Sequence, residues 1–572
     1  VGVGLIMMGA GMLAGGAIEL IMGTPKPIAV SSLNNGDQGG SATYGFGGVQ
    51  NSTRIGAPIP IVYGTHKVGG QVIGLFVKTR DDVDTLDMLI AVSEGDIAGI
   101  TDVRINAQPI ANFTSAAYDT RLGANTQTTM SFFGDTSVAT ITSSAVLTTT
   151  FSTYTTNGTD LTAFEVKIEF PGGLFDVDVN GNFSGRSVVI ETQYKLHAAG
   201  SYTTGPTVTY SAAVRSYLRR LIRVDGLAAG QYDIQVRRTT VETASPRASD
   251  QCFRAAVNEI TSDHFTYPNV ALIAAQAVAT NQLSGGVPTI TCVVQGRVVR
   301  VFSTTSRYSR IYSNNPAWVA LDMLTHERYG IGRFIAPVLY SQGTVAISTG
   351  NATMVGTGTA WTATNVFPGD KLVVDASGQY MTVLSLNVGT QTITFATTWT
   401  NFPIFAGTYQ LRRDDLDIQS FITWANFCDE QVSKPGGGTE TRCQVDIVFD
   451  VDGQVTWDAV LKVCGLGQAV PVMMGNYLKI KIERAATPVQ LFTMGNIVKE
   501  SFEEVFLPLK SRTNIFQVDY LNGSNDYQRD MVVIEDPLVF TNSEPQRRSA
   551  VSILGCIRPS EAARKARLYQ NV

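Results

Sequence analysis

Short runs of alternating apolar and polar residues, separated by turn-forming residues, dominate the chain and predict a protein built mainly of β-strands. From 164 to 170, apolar and charged side chains alternate, which is typical of a half-buried strand. Apolar runs rich in β-branched residues predict further strands at 57–64, 71–77, 187–194, 232–238 and 288–294. So many short strands with turn residues between them favour a many-stranded, antiparallel architecture.

Two connections among the first strands can also be predicted. Two apolar runs within 86–110 are joined by Ser-Glu-Gly-Asp at 93–96, which favours a hairpin. The Gly-Thr-His-Lys stretch at 64–67 lies between two predicted strands and is expected to be a turn region.

Three short helices interrupt the β pattern. Asn315 and Pro316 supply a capping side chain and a proline for the first helical position. Asp417 can cap a second helix, in which apolar residues recur at the spacing of one helical face. A third helix is predicted from Thr456 to Gly465, where glycine is the stop signal.

Changes in composition divide the chain into five predicted segments. Residues 1–23 form an apolar, glycine-rich helix with Glu19 as its one charge. A Thr-rich stretch with three charges is expected to be a small β-barrel or sandwich inserted between two helices of a host domain. The predicted segments are the helix 1–23, a linker and short strands at 24–80, β-domains at 81–337, the insertion at 338–412 and the rest of the host at 413–572. Both ends are expected to be cuts in a longer polypeptide, because residue 1 is Val and the last residues continue a helical pattern.

The charge content narrows the class of protein. The chain has 572 residues, a formal net charge of −5 and a charged fraction of 16%, against about 25% in typical soluble domains. A folded chain with so few charges is either membrane-associated or hides surface in an assembly. Residues 1–23 approach the ~20 residues that span a bilayer, but burial between identical subunits explains them equally well. An acidic chain offers no overall basic surface for nucleic acid.

Few residues suggest metal or catalytic chemistry. The six cysteines, at 252, 292, 428, 443, 464 and 556, form no CxxC pair and are expected to be buried thiols. Asp176, Asp178 and Asn180 match the opening of a calcium loop, but Ser187 replaces the glutamate that the loop requires at its twelfth position. The following Gly181 therefore favours a hairpin turn.

The histidines and arginines likewise lack partners in sequence. His326 and Glu327 follow the first helix, but no second histidine lies at metal-ligand spacing; His66, His197 and His264 are isolated. The arginine clusters at 215–223, 237–238 and 297–300 lie in strand-like runs without regular aromatic partners, so we expect solvated faces rather than a nucleic-acid site. We predict a structural, non-enzymatic protein with no catalytic, cofactor-binding or metal-binding residues and no cofactor.

The string YSNNPAWVALDMLTHERYGIG at 312–332 closely resembles tip attachment protein J, the host-specificity protein and central tail hub of lambda-type siphophages. Supporting similarities lie at 91–99, 267–272, 295–298 and 427–440, and the match extends in order from about 86 to 572 apart from the insertion. Upstream, FG at 46–47, NSTRIGAPIPIVYG at 51–64 and VGG at 68–70 resemble tail assembly protein I. The chain would then be a fusion of the two families, so the I-like part need not act separately.

The resemblance implies a homotrimeric hub in the virion that closes the distal end of a non-contractile tail. Its implied partners are the distal tail protein, the tape measure protein and other tail-tip and fibre proteins, without sequence-specific nucleic-acid binding. The hub would take part in host attachment and in opening the DNA channel, and residues 1–23 could contact the host envelope. Two alternatives stay open: a carbohydrate-binding adhesin, and a tail-associated polysaccharide hydrolase with two paired carboxylates.

Overall fold

The computed structural model confirms the expected class, mainly β with a few short helices, arranged in several sheets. It describes residues 43–44, 49–80, 83–133, 137–261, 265–278, 287–374, 378–400, 404–413, 415–450, 455–474, 477–493, 495–498, 501–503, 508, 513–537, 539 and 545–571. The apolar segment 1–23 and His264 lie outside these residues. Among the described residues, no helix is long and apolar enough to cross a membrane.

Two facing sheets form the first part of the fold around one apolar core. Their strands are β1 Ile61–Tyr63, β2 Thr65–Val68, β3 Gln71–Arg80, β4 Val83–Glu94, β5 Ile97–Ile105, β6 Gln108–Pro109, β7 Ala116–Leu122, β19 Val270–Val278, β20 Ile290–Thr304 and β21 Arg307–Tyr312. One sheet has the order β3-β4-β19-β7, and in the other β20 pairs with β2, β5 and β21. Ile90 and Ile273 of the first sheet and Val294 of the second are buried in the core that the sheets share. A short 3-10 turn covers Ile110–Asn112.

Two predicted connections are wrong in this region. Strands β4 and β5 do not form a hairpin, because both edges of β4 are already paired with β3 and β19, so the chain crosses to the opposite sheet. The stretch 64–67 is not simply a turn: β2 begins at Thr65 and pairs with β20, from Thr65 opposite Gln295 to Val68 opposite Cys292. An extended segment can serve as an edge strand here because β20 offers it a free edge.

A β-sandwich with its own core lies between β7 and β19 of that first part. Its strands are β8 Ser137–Val146, β9 Ser152–Thr155, β10 Ala163–Phe170, β11 Phe175–Val177, β12 Phe183–Ser184, β13 Arg186–Leu196, β14 Thr203–Ala212, β15 Leu218–Val224, β16 Tyr232–Arg238, β17 Ala248–Ser249 and β18 Phe253–Thr261. The two main sheets have the orders β15-β10-β18-β8 and β14-β13-β16-β9. The alternation predicted for 164–170 is confirmed, since Phe164, Val166, Ile168 and Phe170 are all fully buried.

The Thr-rich stretch also encloses an apolar core. Its strands are β22 Val338–Tyr340, β23 Thr344–Ser348, β24 Thr353–Thr357, β25 Lys371–Val374, β26 Gln379–Asn387, β27 Thr392–Phe395, β28 Ile404–Gly407 and β29 Gln410–Arg412. Strands β22 and β29 pair with each other, with Val338 opposite Arg412. The chain therefore enters and leaves this unit at one place. Two sheets share β26 and surround Trp361 and Trp399, and the described strands close no barrel. Tyr380 instead faces the core of the neighbouring helices.

The remaining elements pack around a second large core. They are α1 Pro316–Thr325, α2 Gly332–Ile335, α3 Ile418–Asp429, β30 Gln431–Ser433, β31 Thr439–Thr441, β32 Ile447–Phe449, α4 Thr456–Leu466, β33 Ala469–Met474, β34 Tyr477–Ile482, β35 Ile515–Asn522, β36 Gln528–Glu535, β37 Arg548–Ser552 and α5 Pro559–Asn571. The capping predictions are confirmed: Asn315 accepts a hydrogen bond from the Ala317 N–H, and Asp417 accepts one from the Ser420 N–H.

The third helix ends later than predicted. Helix α4 continues through Gly465 to Leu466, because Gly465 has open space around it and adopts helical geometry. The stop is Gly467, whose carbonyl accepts a hydrogen bond of 2.8 Å from the indole N–H of the fully buried Trp424. A Cβ atom at Gly467 would lie 2.5 Å from that indole ring, so the backbone approaches the ring too closely for any side chain.

These two glycines give a matched test of the helical core. Gly467→Ala should lower the free energy of unfolding by about 1–3 kcal/mol, because its methyl group overpacks Trp424. Gly465→Ala should be neutral or raise it by up to about 1 kcal/mol, since alanine favours an uncrowded helix interior. Chemical unfolding followed by tryptophan fluorescence measures both; equal effects of the two variants would contradict the close approach.

Candidate functional site

A charged cluster surrounds Asp322. This residue lies on helix α1, within the signature string 312–332. Its Oδ2 accepts hydrogen bonds of 2.6 Å from the hydroxyls of Tyr63 and Tyr329. The guanidinium Nε of Arg297, from β20, lies 3.5 Å away. Burial by itself would raise the pKa of Asp322, but Arg297 and these hydrogen bonds hold that pKa below its usual value.

Arg297 connects this carboxylate to the first strands. Its side chain is 4% exposed, its Nη1 donates to the carbonyl of Glu94 at 2.7 Å, and its guanidinium lies 4.7 Å from the ring centre of Tyr329. The Glu94 side chain in turn pairs with Arg328 at 3.1 Å. The arginine that the sequence placed on a solvated face is therefore buried, and it joins β4, β20 and the signature string.

The I-like segment is held by two more carboxylates from distant parts of the chain. Asp446 Oδ1 accepts a hydrogen bond of 2.7 Å from the Thr65 N–H, and burial raises the pKa of Asp446 to about 7. Lys67 Nζ lies 2.7 Å from Asp526. Gly64 adopts φ = +71°, and a Cβ there would lie 2.2 Å from the carbonyl of Val445. The segment is therefore an integral part of the fold rather than an appendage.

Of the two histidines nearest these contacts, His66 is buried and His326 is half-buried. His66 makes a 2.8 Å hydrogen bond with the Lys67 carbonyl through Nδ1, while Nε2 has no hydrogen-bond partner among the described residues. Burial lowers the pKa of His66 to about 4. His326 stacks on Tyr329 with 3.7 Å between ring centres, and burial likewise lowers its pKa to about 4. Both imidazoles are neutral at pH 7, and each contributes to packing.

The residues of the possible calcium loop and the six cysteines have structural roles. Asp178 Oδ1 accepts hydrogen bonds of 2.8 Å from the N–H groups of Asn180 and Asn182, and Gly181 has φ = +85°. This geometry confirms the predicted turn, between β11 and β12. The six cysteines are buried free thiols. Within the part of the chain that the structure describes, no three His, Cys, Asp or Glu side chains form a group that could hold a metal ion.

Charged residues in the predicted arginine clusters also have partners. Arg238 is 1% exposed and lies 3.1 Å from Asp250, and Arg237 lies 2.6 Å from Glu191. Arg215 stacks over Phe175 at 5.2 Å. Sequence reasoning could not find these pairs, because each joins residues that are distant in sequence or lie in different elements, and only the fold brings them together.

An exposed apolar surface follows the hairpin β33–β34. At the hairpin tip Met473, Met474 and Tyr477 are more than half exposed. The described residues between Ile482 and Ile515 form no strand or helix and carry large apolar side chains that are 66–99% exposed: Val489, Leu491, Phe492, Val498 and Phe502. We call this set, with the hairpin tip, the apolar arm. Monomeric proteins rarely leave so many large apolar side chains open to water in one stretch.

A cleft of about 450 Å³ lies beside the hairpin tip, between the Thr-rich unit and helix α3. Its lining includes Tyr380 and Lys371 from the Thr-rich unit, and Asp417, Tyr477 and Lys479 from the host. The cleft contains two ammonium groups, those of Lys371 and Lys479. Lys479 lies 3.8 Å from Asp417, so its charge is already balanced. The cleft thus brings charged side chains next to the hairpin tip. Neither the cleft nor the apolar arm could be predicted from the sequence, because the exposure of a side chain depends on its contacts with distant segments.

Comparison with known proteins shows which proteins the chain resembles. The FNIII-A domain of tip attachment protein J matches residues 136–263, the stretch that β8 to β18 occupy. The chain is 22% identical over 519 residues to tip attachment protein J of Escherichia phage SECphi27, covering 85% of this chain and 36% of that protein. It is 21% identical over 535 residues to tip attachment protein J of Escherichia phage SECphi4, covering 87% of this chain and 39% of that protein.

A second similarity concerns the other family predicted from the sequence. Over 74 residues the chain is 34% identical to tail tip assembly protein I of Escherichia phage N15, covering 13% of this chain and 36% of that protein. The predicted resemblance to both families is confirmed. The chain spans less than two fifths of the length of each of these relatives.

The Asp322 cluster predicts a large loss of stability on removal of its carboxylate. Asp322→Ala should lower the free energy of unfolding by about 3–5 kcal/mol, because it leaves the buried Arg297 charge without its partner. Asp225→Ala removes a pair with Arg223 in which the aspartate is 62% exposed, and should change stability by less than about 1 kcal/mol. Chemical unfolding at pH 7 measures the two; a small effect of Asp322→Ala would contradict the proposed role.

His66 predicts a pH dependence of stability. Between its unfolded pKa of 6.5 and its folded value of about 4, the unfolded chain binds a proton that the folded chain does not, so stability falls as the pH is lowered. His66→Phe should remove about 2–4 kcal/mol of that fall. The raised pKa of Asp446 gives the opposite slope, but it is common to both proteins and cancels in the comparison. Parallel stability profiles between pH 7.5 and 4 would contradict the prediction.

Proposed function

We propose that this chain, a structural protein of a phage tail tip, is the central hub that closes the distal end of the tail tube as a homotrimer. The observation that carries the proposal is the apolar arm, on a chain similar over most of its length to tip attachment protein J. The hub contacts the distal tail protein and the tape measure protein, and carries other tail-tip and fibre proteins. It takes part in host attachment and in the opening of the DNA channel.

The occupant proposed for the apolar arm is a second copy of the same chain. Full burial of a Val, Leu, Phe or Met side chain is worth about 1.5–3 kcal/mol, and a symmetric trimer buries three arms, one from each chain. Val489 and Leu491 are 99% and 77% exposed in the single chain, so association gains nearly their whole burial energy. The hairpin tip, with two methionines and a tyrosine, suits an interface whose side chains adapt to the neighbour.

The firm attachment of the I-like segment supports a rigid hub. Three carboxylates, Asp322, Asp446 and Asp526, hold Tyr63, Thr65 and Lys67. A closure at the end of a tail must hold its shape until the host is contacted, and buried charge-assisted contacts between distant segments provide that stiffness. The net charge of −5 limits adhesion of DNA to the channel wall.

The apolar segment 1–23 extends this proposal. It lies outside the described residues, and we propose that it bundles near the threefold axis or enters the host envelope. The five predicted segments, 1–23, 24–80, 81–337, 338–412 and 413–572, are proposed as the units of the hub. The Thr-rich unit then decorates its outside.

The trimer interface gives the test of the proposed function. The double variant Leu491→Ser, Phe492→Ser should shift the purified protein from trimer to monomer, because it removes two exposed apolar side chains from the interface. Light scattering coupled to gel filtration measures the mass, and electron microscopy of complemented tails measures tip assembly.

Val179→Ser is the matched control. Val179 is 82% exposed on the turn between β11 and β12 of the sandwich, away from the apolar arm in sequence and fold, so this variant should remain trimeric. A wild-type protein that stays monomeric both in solution and at the tail end would overturn the proposal.

A further inference from the structure

We propose that Cys428 and Cys443 form a modification site: a dithiol that a peroxide-class oxidant converts to an intramolecular disulfide. The chemistry stands independently of the hub function. Only its timing rests on that function, because a virion protein leaves the reducing host interior at lysis, and disulfides persist in oxidising surroundings.

The backbone already holds the two residues at bonding range. Cys428 is near the end of helix α3, and Cys443 follows the hairpin β30–β31. The Cys443 N–H donates to the Cys428 carbonyl at 3.1 Å, and next to it the Arg442 N–H donates to the Glu430 carbonyl at 2.9 Å. Standard bond lengths then limit the separation of the two Cα atoms to about 7 Å, the upper limit for a disulfide.

Both side chains belong to the same apolar core. Their residues are 0% and 2% exposed, and each thiol influences the pKa of the other. The two cysteines are therefore neighbours in the fold. The chain between them, with β30 and β31, returns on itself at Gly436, Gly437 and Gly438, which all have positive φ. A cross-link would thus close the base of an existing hairpin without reorganising it.

The surroundings distinguish Cys443 as the nucleophile. The hydrogen bond from Cys428 lowers the pKa of Cys443, burial opposes this, and the ammonium group of Lys565 lowers it further. Lys565 is itself 3% exposed and lies 3.0 Å from Glu561, whose charge raises the pKa of Cys443 and so partly offsets the effect of Lys565. Burial raises the pKa of the other five cysteines, among them Cys428 and Cys464. Thiolate character and access of the oxidant both control the rate of thiol oxidation, and access to these buried thiols requires local opening of the core.

The reaction balances with one peroxide for each pair. The Cys443 thiolate attacks an oxygen of hydrogen peroxide; the O–O bond breaks, and a sulfenic acid and hydroxide form. The Cys428 sulfur then attacks the Cys443 sulfur, the S–O bond breaks, and hydroxide leaves and takes up the Cys428 proton as water. In total two thiols lose two electrons and two protons, and hydrogen peroxide is reduced to two molecules of water.

The test uses the full chain, reduced, desalted and then treated with hydrogen peroxide. Remaining thiols are alkylated, and peptides are mapped by mass spectrometry without reductant. We expect one cross-linked peptide pair that contains Cys428 and Cys443, with a loss of about 2 Da from the intact protein. Alkylation of both residues after peroxide treatment, or a cross-link to another cysteine instead, would overturn the proposal.

Two serine variants separate this site from general oxidation. Cys443→Ser should abolish the loss of mass, whereas Cys292→Ser removes another buried thiol and should leave the cross-link intact. If Cys443→Ser fails to fold, the peptide map of the wild-type protein still decides. Virions purified without reductant should contain the same cross-linked peptide; its absence there would contradict the proposed timing, and persistence of the trimer in either state separates this result from the hub proposal.

Discussion

The buried carboxylate of Asp322 is the contact on which the joining of the fold's parts depends. It binds Tyr63 from the N-terminal strand, Tyr329 from the loop after its own helix, and Arg297 from the long strand β20. A lone carboxylate in that position would be costly to bury, so the site is favourable only when all its partners are in place. Correct placement of α1 therefore requires the first strand and the central sheet together.

The sandwich and the Thr-rich unit are stabilised by apolar cores of their own rather than by contacts between distant segments. Each surrounds an apolar core drawn from its own stretch of sequence, with Phe164 in one and Trp361 in the other. The sandwich is bounded in sequence by β7 and β19, which are adjacent in one sheet. Units that enter and leave at one place can be added to a framework without altering its core. The rigid framework and its additions thus have separate sources of stability.

The few charges of the chain are divided between its interior and its surface. Several charges that remain are paired and buried, as Arg238 is with Asp250 and Lys565 is with Glu561. The exposed surface correspondingly includes the apolar arm, where Leu491 is 77% exposed. The fold thus buries a few ion pairs beside its apolar cores and leaves one large apolar surface exposed on the arm. The paired thiols lie in the same helical core, next to the buried Lys565.

Local sequence determined the elements whose signals are local. The alternation at 164–170, the caps Asn315 and Asp417 and the turn at Gly181 were all predictable, because each depends on neighbours within a few residues. Tertiary structure decided what depends on distant partners: β5 crosses to the opposite sheet because both edges of β4 are taken, and Gly467 rather than Gly465 ends its helix because Trp424 lies against it. Tertiary structure also decided the site: the charge of Arg297 can be buried because Asp322 of helix α1 lies beside it.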